Sequence, residues 1–147
     1  MSPVELALPV VGILAILALV WLTGGLQSAS IADTDAAKRR LAEDAPGLAV
    51  AEAVLAQDRR IALLAATGDA AFALVFAAGN KLATRVLKPA ALRAVAAEGT
   101  ALTLATDDFG RHRFRLELGD AAMASAWAAR LESFRAQAHS DAAAVAA

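Results

Sequence analysis

The side chains that could take part in chemistry are few and scattered in this 147-residue chain. It has no cysteine and only two histidines, His112 and His139. Neither histidine has a second histidine or a carboxylate at the spacing of a metal site. Asp107 and Asp108 are adjacent carboxylates, but their position just before Gly110 is typical of a turn. The sequence therefore predicts no catalytic, cofactor-binding or metal-binding residue, and we expect no enzyme activity.

Two groups of basic residues are candidates for contact with an anionic surface. The first group is Lys38, Arg39 and Arg40, and the second is Arg111, Arg113 and Arg115. Such groups attract anionic lipid headgroups or an acidic protein surface. The alternatives are a solvated helix that only sets membrane topology for the first group, and a solvated strand face for the second.

The charge balance argues against a nucleic-acid partner. All 14 Lys and Arg lie after Ile31, where they meet 14 Asp and Glu, the 15 of the whole chain less Glu5. A chain with this balance has no overall attraction for DNA or RNA. We therefore expect protein or lipid partners, and a small-molecule ligand is left open.

The longest apolar run, Leu6–Leu22, carries no charge. As a helix it would extend about 26 Å, close to the roughly 30 Å hydrocarbon core of a bilayer. We therefore predict a single transmembrane helix over residues 4–26. A cleaved secretory signal is the alternative, because Ser28-Ala29-Ser30 resembles a cleavage site. The first five residues lack the basic charge of a signal peptide, which favours an uncleaved anchor.

The basic residues also predict an orientation. Lys38, Arg39 and Arg40 follow the apolar run and no basic residue precedes it, so the positive-inside rule predicts an external N-terminus and a cytoplasmic C-terminal domain. We expect a single-pass protein of the cell inner membrane.

One face of the predicted membrane helix carries small side chains. Gly12, Ala15 and Ala18 recur every three residues among bulkier ones, and Trp21 lies near the inner end, where interfacial aromatic residues are common. Small side chains let a partner helix approach closely, so we expect these four residues to contact another membrane protein. The alternative is a chance pattern in an alanine-rich sequence.

A juxtamembrane linker with a short helix is predicted over residues 27–47, and a β-rich domain from Leu48. Turn signals then recur between segments of six to eight residues, which is the length of strands. The clearest strand is Arg111–Leu118, where His112 shares an apolar face with Phe114 while the arginines occupy the other face. This pattern predicts a partly buried His112. The stretch 50–66 suits strands or a helix equally well.

The period of the pattern changes after Gly119. Asp120 can cap a helix, and one apolar stripe follows at helical spacing. Its members are Met123, Trp127, Leu131 and Phe134. We predict that this amphipathic helix runs to about Ala138 and that residues 139–147 form a flexible tail.

About seven short antiparallel strands closed by a C-terminal helix that contains Trp127 resemble the pleckstrin-homology-like (PH-like) family over residues 48–138. The resemblance implies a mainly-β (α+β) scaffold that binds lipids, peptides or protein surfaces and has no catalytic role. Lipid-binding members carry a basic cluster across the first hairpin, where this chain has only Arg59 and Arg60 after Asp58. That difference argues against inositol-lipid binding.

Taken together, the sequence predicts a non-catalytic, single-pass accessory or assembly subunit of a larger bacterial inner-membrane complex. Its partners would be other integral membrane subunits and the bilayer. The alternative hypothesis is a lipid- or ligand-binding module held near the membrane.

Overall fold

The computed structural model describes residues 2–23, 28–107 and 110–146. The first helix, α1 (Pro3–Leu22), is long and apolar enough to cross a membrane, and none of its residues is buried by the rest of the chain. Ser2 caps it: the Ser2 Oγ accepts the Glu5 N–H, and the Ser2 N–H donates to the Glu5 carboxylate at 3.0 Å. Glu5, the acid near the N-terminus, thus helps to cap α1. The end of the predicted span at residue 26 lies outside the described residues.

After α1, the described residues form seven strands in two antiparallel sheets and two further α-helices. The predicted mainly-β region with a C-terminal helix is therefore confirmed. The linker contains α2 (Thr34–Asp44). The first sheet has the order β1 (Val50–Leu55), β2 (Ile61–Ala66), β3 (Phe72–Ala78), β4 (Lys81–Leu87). The second has the order β5 (Leu92–Glu98), β6 (Ala101–Thr106), β7 (Arg113–Glu117), and α3 (Ala121–Ala146) follows it. The ambiguous stretch 50–66 is therefore two strands.

The main core lies between the two sheets and is closed by α3. Phe72 packs edge-on against Phe134 of α3, with ring centroids 5.0 Å apart, and Phe76 packs against Phe114 of β7 at 5.1 Å. Alternation of side chains along β3 places both phenylalanines on the same face of the first sheet. The aromatic pairs therefore connect the first sheet to both the second sheet and the closing helix.

The closing helix differs from the prediction in two ways. It continues to Ala146, so the segment predicted as a flexible tail is helical through its described part. Ala124 is buried, whereas Met123 is 40% exposed. The contact stripe of α3 therefore begins at Ala124 and continues through Trp127, Leu131 and Phe134, because the small alanine lets the helix approach the sheets closely.

The outer face of the first sheet is also covered, which the sequence pattern did not reveal. Ala37 and Leu41 of α2 are fully buried and form a second apolar cluster with Ile31 and with Ala73 and Val75 of β3. Each residue of β2, and β3 from Phe72 to Ala77, is therefore buried. One face of α2 is part of the fold and is not a solvated linker surface.

Backbone hydrogen bonds attach the chain before α2 to two turns of the first sheet. The Ala29 N–H donates to the Gly79 carbonyl at 2.9 Å, and the Ile31 N–H donates to the Arg59 carbonyl at 2.7 Å. Gly79 lies in the β3–β4 turn and Arg59 in the β1–β2 turn. The first residues bonded to the domain thus follow the end of α1 by only a few positions.

We predict that Leu41→Ala lowers the free energy of unfolding by about 3 kcal/mol, since it removes a fully buried side chain and leaves a cavity. Urea unfolding of the full chain in detergent would measure this through Trp127 fluorescence, in a Trp21→Phe background that removes the other tryptophan. The matched variant Arg39→Ala, at an exposed site of the same helix, should change stability by less than about 0.5 kcal/mol. Equal effects of the two variants would show that α2 does not pack on the sheet.

Candidate binding groove on the second sheet

The outer face of the second sheet combines small side chains with arginines in a regular order. The pairing register aligns Ala94 with Ala105 and Arg113 in one row across the three strands. Ala96, Thr103 and Arg115 form the next row. Each row therefore runs from small side chains on β5 and β6 to an arginine on β7. We call this surface the arginine groove.

A local irregularity of β5 sets this arrangement. The register shifts between Leu92 and Ala94, so Leu92 is buried in the core while Ala94 is exposed on the outer face. A bulge of this kind accommodates one extra residue and re-aims the side chains on either side of it. The extra residue, Arg93, pairs with Asp107 at one end of the groove.

The three arginines of the groove are held differently. Arg115 Nη1 lies 3.2 Å from the Glu98 carboxylate on β5, across the floor of the groove. Arg113 is exposed and makes no ion pair with any residue that the structure describes. Arg111 lies over the Phe114 ring at 5.0 Å, and its Nε donates to the Arg113 carbonyl at 3.3 Å. One guanidinium is thus paired with a carboxylate, one is available, and one is fixed by stacking.

A fourth arginine contacts the backbone of Arg111 at the edge of the arginine groove. Arg85 of β4 donates from Nη1 to the Arg111 carbonyl at 2.7 Å, and its guanidinium lies 5.6 Å from both the Phe76 and Phe114 rings. The sequence around Arg85 does not predict this contact, because Arg85 lies on the first sheet and 26 positions before Arg111.

The shape and the side chains of the groove suit recognition of an anion. The depression has a volume of about 480 Å³ and is open to solvent on one side. Guanidinium groups bind carboxylates and phosphates with two parallel hydrogen bonds, and small side chains beneath them let a ligand approach the sheet. In the described ranges, no group of three or more His, Asp or Glu side chains is placed to hold a metal ion.

The structure separates the two basic groups that the sequence singled out. Lys38, Arg39 and Arg40 lie on α2, which covers the opposite sheet, and Arg40 pairs with Asp44 at 3.0 Å. Asp44 also accepts a hydrogen bond from Thr84 on β4, at 2.5 Å. The second basic group lines the arginine groove.

The prediction of a partly buried His112 was wrong. The strand β7 begins at Arg113, and His112 precedes it as an exposed residue. Its carbonyl accepts the Thr106 N–H at 2.8 Å, which closes the β6–β7 connection. The strand therefore starts two residues later than the sequence pattern indicates, after the turn that Gly110 makes with a positive φ of 91°.

The predicted contact face of α1 meets no other part of the described chain. Gly12, Ala15, Ala18 and Trp21 are all exposed, and a Cβ added at Gly12 would meet no atom within 4 Å. Packing within the described chain therefore does not require the small side chains of this face.

A cluster of charged residues outside the groove joins α3 to β1 and to the β2–β3 turn of the first sheet. Arg130 binds both oxygens of Asp69, from Nη2 at 2.5 Å and from Nε at 3.1 Å, and it lies 2.8 Å from the Glu52 carboxylate. Its guanidinium also stacks 4.3 Å from the Trp127 ring. The hydrogen bonds from Arg130 lower the pKa of Asp69, and those to Asp69 and Glu52 raise the pKa of Arg130. This cluster is paired internally and holds the closing helix.

Comparison with known proteins assigns no family. No family model, curated protein or solved structure gives a significant match to this chain.

We predict that Asp69→Asn destabilises the fold by about 1 kcal/mol at pH 7, because it removes a carboxylate paired with two guanidinium nitrogens. Asparagine tolerates the positive φ of 54° at this position, so the change isolates the charge. The pKa of Asp69 is lowered in the folded state, so its contribution is present above the ordinary pKa of 3.8 and is lost as the pH falls through the folded value.

Urea unfolding at pH 7 and at pH 3 measures this difference. The gap between the parent chain and Asp69→Asn should shrink at the lower pH. Asp141→Asn, at an exposed site of α3, serves as the control and should leave stability unchanged at either pH. A gap of the same size at both pH values would contradict the assignment of an ion pair.

Proposed function

We propose that this chain is a non-catalytic, single-pass membrane protein that acts as an accessory or assembly subunit of a larger bacterial inner-membrane complex. The arginine groove is the surface through which it would hold an acidic segment of a partner subunit. The observation that carries this proposal is the row order of the groove, in which small side chains lie beside exposed Arg113 on a sheet face without a covering element in the described chain.

A PH-like scaffold is part of the proposal. The support is the order of four strands in one sheet, three in the other and a closing helix that contains buried Trp127. Scaffolds of this shape present binding surfaces without a reactive centre. This accords with a groove that offers guanidinium groups and no nucleophile beside a base.

The chemistry of the partner follows from the existing contact of Arg115. The Glu98 carboxylate already lies 3.2 Å from this guanidinium, which is the geometry that a carboxylate of a partner would adopt beside Arg113. The exposed pair of Arg115 and Glu98 contributes little to stability by itself, so these side chains can exchange partners at small cost.

The membrane part of the proposal concerns orientation and contact. The absence of basic residues before α1 and the presence of Lys38, Arg39 and Arg40 after it favour an uncleaved anchor with its C-terminal domain in the cytoplasm. The small side chains of Gly12 and Ala15 would allow a helix of the partner to approach α1 closely.

A second candidate function is binding of an anionic lipid or small ligand in the same groove. Arginines that accept a carboxylate also suit a phosphate, and this is the observation that favours it. The two candidate functions predict different particle sizes after extraction from the membrane: a complex with partner subunits for the first, and the protein alone for the second.

We predict that Arg113→Glu with Arg115→Glu releases the protein from its complex. The full chain, extracted from its native membranes with mild detergent, should migrate on size exclusion with its partners, whereas the double variant should migrate alone. The reason is repulsion between the introduced carboxylates and an acidic partner segment. Ala96→Trp, at an exposed site on the groove floor, should weaken the complex by filling the groove without changing charge.

The control reverses two basic residues outside the groove, Arg39→Glu with Lys88→Glu, and should leave the complex intact. Gly12→Leu with Ala15→Leu tests the contact face of α1 in the same experiment. A parent chain that migrates alone would overturn the proposal. If only the binding of phosphatidylglycerol vesicles is lost in the groove variant, the lipid-binding alternative is correct.

We predict the orientation of the chain from the charge asymmetry around α1. Because the sequence has no cysteine, single cysteines report without background. Ser2→Cys should react with a membrane-impermeant maleimide in spheroplasts, and Ser140→Cys should react only after lysis. Reaction of Ser140→Cys in intact spheroplasts would reverse the proposed topology, and a mature N-terminus near Ser30 by mass spectrometry would identify a cleaved signal.

A further inference from the structure

We propose that the membrane-proximal rim of the domain, made of the β1–β2 and β3–β4 turns, lies against anionic lipid headgroups of the bilayer that α1 enters. The rim carries Arg59, Arg60 and Lys81. The proposal rests on membrane insertion of α1 and is independent of what the arginine groove binds.

The length of the chain between α1 and the domain is the first argument. Five Cα–Cα steps separate Thr23 from Ser28, and at 3.8 Å each they span at most about 19 Å. Ala29 is then bonded to the β3–β4 turn and Ile31 to the β1–β2 turn. These two turns are therefore the parts of the first sheet that are attached nearest to the end of α1.

The far end of the sheet is separated from this attachment by the length of the strands. The seven residues of β3 extend about 23 Å from the rim to the β2–β3 turn, which carries Asp69. Of the basic residues at that end, Arg130 is already paired with Asp69 and Glu52, whereas Lys88 is exposed.

The charges of the rim are the second argument. Arg59, Arg60 and Lys81 are all exposed, and none makes an ion pair with a residue in the described ranges. Asp58, the acid of this turn, accepts the Arg60 backbone N–H at 3.0 Å. Glu117, whose carbonyl bonds to Gln57 beside the turn, directs its carboxylate to Thr100 and to the Gly119 N–H. Three exposed cations therefore lie on the two turns, while the carboxylates of Asp58 and, at the start of α2, of Asp33 and Asp35 lie near them.

The backbone at Arg59 is the third argument. Its φ of 57° lies in the left-handed region, where glycine or asparagine would fold with less strain. An arginine at this position holds a long cationic side chain at the tip of the turn.

The basic residues of α2 do not share this placement. The helix leads from the rim toward the segment Leu48–Ala49, and Ala49 is bonded to Thr67 at the far end of the sheet. Lys38, Arg39 and Arg40 therefore lie about 6–9 Å along the helix axis from Thr34, on the side away from the rim. Lys88, which follows β4, also lies at the far end, because Leu87 pairs with Phe72.

The experiment places a fluorophore at each end of the first sheet in the full chain, reconstituted in lipid nanodiscs. Single cysteines at Asn80→Cys on the rim and at Ala70→Cys in the β2–β3 turn carry a bimane label. Lipids with a spin-labelled headgroup quench the label when it lies at the membrane surface. In discs with 30% phosphatidylglycerol, Asn80→Cys should be quenched several-fold more than Ala70→Cys, and the excess should fall at 0.5 M salt.

Paired charge reversals then test the three cations. Arg59→Glu with Lys81→Glu should reduce the quenching of Asn80→Cys to its level in discs of phosphatidylcholine alone, since each cation near the surface contributes about fivefold to association. Arg39→Glu with Lys88→Glu changes the net charge by the same amount and should retain the quenching.

The proposal is overturned if the two labels are quenched equally, if phosphatidylglycerol and salt have no effect, or if both double variants lose quenching alike. The complex on size exclusion reports the arginine groove separately, and cysteine labelling in spheroplasts reports insertion of α1. A failure of the rim contact is therefore distinguishable from a failure of the proposed function.

Discussion

The burial of β2 and β3 on both faces is the constraint on which the rest of the structure depends. Alternate residues of β3 face the aromatic core on one side and the underside of α2 on the other. A sheet that is covered on both sides cannot exist without both of its layers, because the uncovered apolar strands would face water. The segment between α1 and β1 is therefore a structural layer of the domain as well as a connection to α1.

The second sheet shows the opposite arrangement, and this difference defines the groove. Its inner face supplies Phe114 and Leu116 to the core, while its outer face keeps alanines and arginines in register. The aromatic side chains stabilise the fold from within and also provide the surface on which Arg85 and Arg111 stack. The same rings thus contribute to packing and to the positions of the charges.

Much of the fold was predictable from the sequence because strand and helix periods are local signals. The alternation in Arg113–Glu117 and the turns at glycines such as Gly79 and Gly119 identify strands and their ends. At Gly119 the positive φ of 74° favours glycine. The burial of β3 on both faces was harder to predict, because alanines such as Ala73 occur on buried and exposed faces alike.

Only part of the candidate site could be predicted from the sequence. The sequence identifies the arginines on β7 but not their neighbours, since the register that places Ala94 and Thr103 beside them depends on a bulge in another strand. The stacking of Arg85 and the attachment of Ala29 to Gly79 join residues distant in sequence, and no local pattern encodes such contacts.

The covering of the first sheet by α2 also has a consequence for the order in which the protein matures. Translation proceeds from the N-terminus at about 5–20 residues per second, so Leu41 is made 34 residues, or roughly two to seven seconds, before Val75, which it packs beside. A helix of 11 residues is marginal in water until its apolar face is covered. The apolar helix α1 is synthesised before either partner of this contact. The β-domain would therefore complete its folding only after both α1 and α2 have been synthesised.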